Sequence, residues 1–133
     1  MSTLSEYNNN PGNIKPPGGK ADFYEGQIGV DDNGFAVFVN RDFGRKALIQ
    51  DIRAKQQKGV NTPHTFIDRY APAGKENTEE ARDNYKLTLT AGLGLKGTNE
   101  QFPPGSEEKL ADLITQFEGQ SQAAQSAEPK PGD

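Results

Sequence analysis

One short stretch constrains the fold of this chain more than any other: Asn8-Asn9-Asn10-Pro11-Gly12-Asn13-Ile14. Pro11 fixes its own φ and disfavours a helical backbone at Asn10, and Gly12 can adopt a positive φ at no steric cost. The stretch therefore predicts a tight polar turn that ends in an apolar anchor. Because amide side chains both donate and accept hydrogen bonds, such a turn suits the hydroxyl, acetamido and peptide groups of a carbohydrate or glycopeptide. The alternative is a flexible Asn-rich N-terminus that contains a β-turn.

Composition narrows the class of protein. The 133 residues correspond to one domain with tails. Apolar residues make up 32% of the chain, against about 45% in a typical globular domain, and the shortfall lies at the two ends. The net charge is −4 and the 15 basic residues are scattered. A nucleic-acid partner is therefore not expected, because duplex binding needs a basic face.

Several kinds of site and segment are also excluded or disfavoured. The chain has no cysteine, so disulfides and thiolate metal sites are excluded. A single histidine disfavours a histidine-based metal centre and a Ser-His-Asp triad. No apolar run reaches the length of a membrane span or of a signal-peptide core. We therefore expect no metal, no cofactor and no membrane span.

A β-hairpin is the strand structure that the sequence predicts. Residues 23–30 and 35–39 are rich in strand-forming side chains. Between them, Asp31-Asp32-Asn33-Gly34 carries a strong turn signal.

Three helices are predicted after the hairpin. Asn40 is a suitable N-cap for a helix over residues 41–58, and Thr62-Pro63 opens a short second helix. Asn77-Thr78 opens a third helix, although the alternation of residues 86–90 leaves a strand there as a competitor.

A final amphipathic helix follows Ser106, which is expected to cap it. Its apolar residues fall at i, i+3, i+4 and i+7: Leu110, Leu113, Ile114 and Phe117. The sequence thus predicts an α+β fold, with a small antiparallel hairpin packed with three to four helices. Its expected organisation is an irregular N-terminal arm (1–20), a single domain (21–118) and a flexible polar tail (119–133).

Carboxylate acid–base chemistry is the catalysis that this residue inventory allows. Glu118 follows the apolar face of the last helix, where burial would favour its protonated form; the alternative is an exposed helix end. Glu25, at the start of the hairpin, could face a cleft opposite the asparagines or be an exposed edge charge. Tyr70 could stack on a sugar ring or belong to the core. His64, near the start of its helix, is interpreted as a surface or half-buried residue.

Taken together, several motifs resemble one family. They occur in the same order as in the small virion structural proteins of tailed and related bacteriophages, which have a lysozyme-like or peptidoglycan-hydrolase-like domain. The motifs are Asn8 to Ile14, Gly34-Phe35-Ala36-Val37-Phe38, Gly44-Arg45-Lys46-Ala47-Leu48, Asn61-Thr62, Ile67-Asp68-Arg69-Tyr70-Ala71-Pro72 and Glu76-Asn77-Thr78. The resemblance covers residues 8–118.

The resemblance implies a protein of the phage particle that acts at or near the bacterial cell wall. The asparagine stretch is similar to the substrate-cleft segment of wall-cleaving glucosaminidases and transglycosylases. Phe117-Glu118-Gly119 is the nearest match to a His-Glu-Asn-Gly-type motif, with Phe117 in place of the histidine and the asparagine missing. Tyr24-Glu25-Gly26 stands where a tryptophan is usual.

Two functions follow as expectations. The first is a structural component of the virion (capsid, vertex or tail) that has other virion proteins as partners. The alternative is a virion-associated muramidase or lytic transglycosylase that acts on bacterial peptidoglycan. In it Glu118, with Glu25 as a second candidate, supplies the catalytic carboxyl, and four residues bind the glycan: Asn8, Asn10, Asn13 and Tyr70.

Overall fold

The computed structural model describes residues 4–16, 23–71 and 77–125, with side chains as far as residue 119. Along these residues the elements are, in order, α1 (Leu4–Tyr7), β1 (Gln27–Val30), β2 (Ala36–Phe38), α2 (Arg41–Gln57), α3 (Pro63–Tyr70), α4 (Glu79–Gly92) and α5 (Glu107–Gln125). The predicted α+β class is confirmed, with one two-stranded antiparallel sheet among the described residues. Helix α1 was not predicted. It is a single turn within the N-terminal arm, which was expected to be irregular.

The chain divides into two compact units. The first unit takes Met1–Asp51 together with Ile114–Asp133, and the second takes Ile52–Leu113. Helices α2 and α5 therefore contribute residues to both units. The single domain expected over residues 21–118 stays a prediction.

The hairpin of the first unit is confirmed. Strands β1 and β2 pair antiparallel, with Gln27 opposite Phe38 and Gly29 opposite Val37. Ile28 is the extra residue of a β-bulge between these pairs, and 65% of it is exposed. At the turn, Asp31 Oδ1 accepts hydrogen bonds from the backbone nitrogens of Asn33 and Phe35 at 2.9 Å. This Asx-type turn explains why the predicted Asp-Asn-Gly sequence reverses the chain.

Helix α2 begins as its sequence predicts. Asn40 Oδ1 accepts a hydrogen bond from the backbone nitrogen of Phe43 at 3.1 Å, so Asn40 caps the helix. Gly59 lies just past the other end in the left-handed region, with φ +84°. Together with the hairpin and the first residues of the chain, α2 contributes to the buried apolar core of the first unit: Leu4, Ile14, Tyr24, Ala36, Phe38, Ala47, Leu48 and Ile114.

The second unit packs α3 against α4 around an aromatic cluster. The ring of Phe66 lies 5.2 Å from that of Tyr70 in a stacked arrangement and 5.7 Å from that of Phe102 edge-to-face. Phe66 is completely buried, and burial of a side chain of this size contributes about 1.5–3 kcal/mol. The remaining buried apolar residues of this unit are Ile52, Val60, Ile67, Ala71, Tyr85, Leu89, Leu93, Leu110 and Ala111.

The helix starts of the second unit follow the predicted signals in two cases out of three. Thr62 and Thr65 form a reciprocal capping box ahead of Pro63, and the Thr78 side chain caps α4. Residues 86–90 are helical, so the competing strand is not formed. Ser106 directly precedes α5, but its buried hydroxyl makes no hydrogen bond to any described residue. Ser106 thus stands at the predicted N-cap position, where its carbonyl accepts from the Leu110 nitrogen at 2.8 Å, but its side chain does not cap the helix.

The last helix extends beyond its predicted end. Helix α5 continues to Gln125, so residues 119–125 of the expected tail are helical. The segment is Gly119-Gln-Ser-Gln-Ala-Ala-Gln125, and alanine and glutamine favour the helix even where little apolar surface is present. The rest of the predicted tail lies outside the described residues.

Candidate functional site at the asparagine turn

The asparagine turn, residues 8–14, closes on helix α1. The backbone nitrogens of Asn8 and Asn10 donate to the carbonyls of Leu4 and Ser5 at 3.0 and 2.8 Å. Asn9 and Asn13 adopt left-handed backbone conformations, with φ +53° and +50°. Asparagine is the side chain that tolerates this region best after glycine. The path of the backbone therefore favours asparagine or glycine at these two positions.

The turn also completes the free edge of β2. The backbone nitrogen of Phe38 donates to the Asn8 carbonyl, and that of Ala36 donates to the Ile14 carbonyl, both at 2.9 Å. Asn9 Nδ2 adds a third bond to the Phe38 carbonyl at 3.1 Å. The asparagine turn thus occupies the place that a third strand would take, and it removes an exposed sheet edge.

The side chain of Asn10 links backbone groups within the first unit. Its Nδ2 donates to the carbonyls of Ile14 and Ala36 at 2.9 and 2.8 Å, and its Oδ1 accepts from the Ile14 nitrogen at 3.1 Å. The side chain is completely buried. Because all its hydrogen-bonding groups except one lone pair are used and none is exposed, the geometry gives no support to Asn10 as a glycan-binding residue.

Asn8 is placed in a similar way. It is completely buried, and its Nδ2 donates to Asp31 Oδ2 at 2.9 Å. The other oxygen of Asp31 is held by two backbone nitrogens in the hairpin turn. Asn8 therefore ties the asparagine turn to the hairpin, and we assign it a structural role in place of the expected substrate contact.

Asn13 brings the turn and the last helix together. Its Nδ2 lies 3.0 Å from Glu118 Oε1, across 105 positions of sequence. Asn13 is buried, whereas Glu118 on α5 is half-buried. The structure thus places one sequence-predicted carboxyl in direct hydrogen-bonding contact with one sequence-predicted amide, inside the same compact unit. A half-exposed carboxylate held by an amide donor has the geometry of an oriented acid–base group.

Glu25 takes no part in the hydrogen bond between Asn13 and Glu118. It forms an exposed ion pair with Lys46 at 3.3 Å, and 70% of its side chain is accessible. With Lys46, Tyr24, Ala47 and Gln50 it lines a shallow cavity of about 50 Å³, which has room for one or two waters. The geometry therefore does not favour Glu25 as a catalytic group, because exposure leaves its carboxylate solvated and screened.

Tyr70 belongs to the second unit, where it takes part in the aromatic cluster. Its ring stacks on Phe66, meets Tyr85 edge-to-face at 6.4 Å between centroids, and lies 5.5 Å from Lys55 Nζ. These contacts favour the interpretation that Tyr70 packs within the protein over the one in which it stacks on a sugar ring.

A charged cluster in the second unit is not apparent from single motifs. Asp68 Oδ1 accepts hydrogen bonds from Arg82 Nη2 at 2.6 Å and from Lys86 Nζ at 2.9 Å. Lys86 Nζ also lies 3.0 Å from His64 Nδ1. The signal for it is the i, i+4 spacing of His64 with Asp68 and of Arg82 with Lys86. Since Lys86 carries only donors, Nδ1 must be the acceptor, which places the ring proton on Nε2, 3.4 Å from Asp68. His64 is thereby used in structure at both ring nitrogens.

Other site types are absent from the described part of the chain. No three side chains of His, Cys, Asp or Glu there come together as a possible metal site. Within the same residues, no helix has the length and apolar character needed to span a membrane. Comparison with known proteins assigns the chain to no family, since no family model and no curated protein matches it.

Proposed function

We propose that this chain is a virion-carried protein that cleaves glycosidic bonds of bacterial peptidoglycan with Glu118 as the general acid. The observation that carries the proposal is the 3.0 Å hydrogen bond between Asn13 Nδ2 and Glu118 Oε1. It joins the two parts of the sequence that resemble a wall-hydrolase site, and it orients the carboxyl. The motif order shared with virion proteins supports the location in the particle.

In this proposal Glu118 first donates a proton and then accepts one. Its protonated carboxyl donates to the oxygen of the leaving sugar as the glycosidic bond breaks. The carboxylate that results then accepts a proton from the hydroxyl that attacks the anomeric carbon, which restores the acid. One carboxyl can serve both steps, so Glu25 is not needed.

The test is clearing of purified peptidoglycan, followed by turbidity or in a zymogram. The wild-type protein should clear the substrate, and Glu118→Gln should lower the rate by about 100-fold or more, because an amide cannot donate the proton. Glu107→Gln makes the same chemical change on the same helix and should retain activity. Absence of clearing by the wild-type protein, under conditions where a known muramidase is active, would end the proposal.

The second candidate is a structural component of the virion without catalysis. One observation favours it: among the described residues, five of the six large apolar side chains that are exposed belong to the first unit. They are Tyr7, Phe23, Ile28, Val30 and Val39. A contiguous patch of such side chains is typical of contacts with other proteins, whereas single exposed apolar residues are common on any protein surface.

Incorporation into particles tests this role. Ile28→Asp should reduce the amount of this protein in purified virions, because a charge would then have to be buried in the contact. Leu87→Asp alters the exposed apolar residue of the second unit and is the matched control. Equal incorporation of wild type and Ile28→Asp would count against the exposed hairpin residue as a docking element.

A further inference from the structure

The side-chain oxygen of Asn13 has no hydrogen-bond donor. Oδ1 is buried and meets no donor among the described residues, while Nδ2 of the same amide donates to Glu118. An unpaired buried polar atom costs about 1–3 kcal/mol, so an arrangement of this kind calls for an explanation.

Comparison with Asn10 shows what is unusual about Asn13. The Asn10 amide is held on both sides, by two carbonyl acceptors at Nδ2 and by the Ile14 nitrogen at Oδ1. Turning it over would set oxygen against oxygen, so its orientation is fixed. In Asn13 no described donor holds the oxygen. Its orientation is therefore decided by the carboxyl group opposite.

Asn8 supplies the second comparison. It also donates to a carboxylate and also has a buried Oδ1 without a described donor. Its partner Asp31, however, accepts two further backbone hydrogen bonds that require the ionised or acceptor form. Those bonds keep Asp31 as an acceptor. Glu118 lies on a helix and has to change its protonation state in the reaction.

We infer that Asn13 is the positioning residue for Glu118 and that its amide turns over when the carboxyl gains a proton. The structure shows Nδ2 donating to Oε1, which is the arrangement that suits an ionised Glu118. When Glu118 is protonated, its O–H donates to Oδ1 of Asn13, and the amide rotates by half a turn to present that oxygen. A single side chain thus holds the acid in place before and after proton transfer. This inference rests on the proposed function of Glu118.

The elements that meet at the turn carry several other charged groups. They are Glu6 on α1, Arg41 and Arg45 on α2, Asp31 in the hairpin, Lys15 after the turn, and Lys109 and Asp112 on earlier turns of α5. Lys15 Nζ lies 5.3 Å from the centre of the Phe35 ring. Unlike these groups, Asn13 is uncharged, and its amide can follow the protonation of Glu118 without adding charge.

Nuclear magnetic resonance on the labelled full chain can follow how the Asn13 amide responds to protonation of Glu118. The side-chain amide signals of Asn13 should shift with pH at the same midpoint as the carboxyl carbon of Glu118. The amide signals of Asn10 should not move at that midpoint, and in Glu118→Gln the Asn13 transition should vanish. Asn13 signals that stay constant while Glu118 titrates would overturn the inference.

An activity measurement separates this inference from the proposed function. Asn13→Gly keeps the left-handed backbone and removes only the amide, and it should lower kcat/KM on peptidoglycan by about 10- to 100-fold through loss of positioning. It should also change the shape of the pH–rate profile, which a purely structural role would not do. A wild-type protein that clears no peptidoglycan overturns the proposed function, whereas the resonance result stands or falls without it.

Discussion

The side-chain nitrogen of Asn10 donates to the backbone oxygen of Ala36 at 2.8 Å, across 26 positions of sequence. Ala36 also donates its backbone nitrogen to the Ile14 carbonyl. Both polar backbone groups of Ala36 are therefore satisfied by the asparagine turn. The amide-rich segment is thus built into the sheet of the first unit, where part of its polarity supports the fold.

Replacement of Asn10 by alanine should destabilise the protein strongly. The change removes three hydrogen bonds and leaves the Ala36 carbonyl and the Ile14 nitrogen without these partners in a buried place, whereas the Ile14 carbonyl keeps its bond from the Ala36 nitrogen. We expect the free energy of unfolding to fall by about 2–4 kcal/mol. Denaturant unfolding measures it. Asn84→Ala, at an exposed position of α4, should change stability by less than about 0.5 kcal/mol; equal effects of the two variants would contradict the assigned role.

Replacement of Gly44 by alanine should also destabilise, although alanine favours helices by about 1 kcal/mol over glycine. A Cβ at this position of α2 would overlap the Asn9 carbonyl oxygen and approach Pro11 Cδ to 2.8 Å. Because the neighbours are backbone and a rigid ring, we expect a net loss of about 1–3 kcal/mol. Gly119→Ala, with no atom within 4 Å of the added carbon, should be neutral or stabilising. Thermal unfolding of the two variants side by side tests the difference.

The charged cluster around Asp68 should make stability depend on acid pH. The hydrogen bond from Lys86 holds the pKa of Asp68 below its usual 3.8; partial desolvation opposes the shift, and the charges of Lys86, of His64 in its protonated form and of Arg82 add to it. Because the folded pKa is the lower one, this stabilisation is present above pH 3.8 and is lost as pH falls through the folded value. Asp68→Asn should therefore be less stable than wild type at neutral pH, and the difference should shrink in acid.

The size of that difference is limited by exposure. Since 40% of the Asp68 side chain is accessible, solvent screens the pair, and we expect about 1 kcal/mol at neutral pH. Unfolding curves for both proteins over a pH series measure it. A difference that stays constant down to the lowest pH would show that Asp68 acts through packing instead of charge.

Tyr24 should make stability depend on alkaline pH. Burial raises the pKa of Tyr24 well above its usual range, and the charge of Asp51 adds to the rise. In the unfolded chain the phenol ionises near pH 10, so the folded state loses stability as pH rises above that value and not below it. In ultraviolet absorbance the ionisation of Tyr24 should accompany unfolding. In Tyr24→Phe the absorbance change that accompanies alkaline unfolding should be smaller by the contribution of one tyrosine.

The elements that the sequence predicts correctly are those with local signals. Asp31-Asp32-Asn33-Gly34 specifies its turn through hydrogen bonds within the same few residues. Asn40, and Thr62 with Thr65, likewise form caps from neighbouring atoms. Such interactions need no knowledge of the rest of the fold, which is why the hairpin and the helix starts could be located in advance.

The candidate site was less predictable, because its partners are distant in sequence. Asparagines usually lie at the surface, and nothing local shows that Asn8 and Asn10 are completely buried. Their burial depends on the free edge of β2, which exists only after the hairpin has formed. The sequence suggests that Glu118 could lie near the asparagine turn. Its hydrogen bond with Asn13, however, can be located only once the first unit has folded.

The hydrogen bond between Asn13 and Glu118 has a consequence for how this chain folds during synthesis. The carboxylate that Asn13 contacts is synthesised 105 residues after the asparagine itself. Closing a loop of that length is slow compared with local helix formation. We therefore expect nascent chains that stop before residue 118 to carry an incomplete first unit, and maturation of that unit to coincide with release of the last helix.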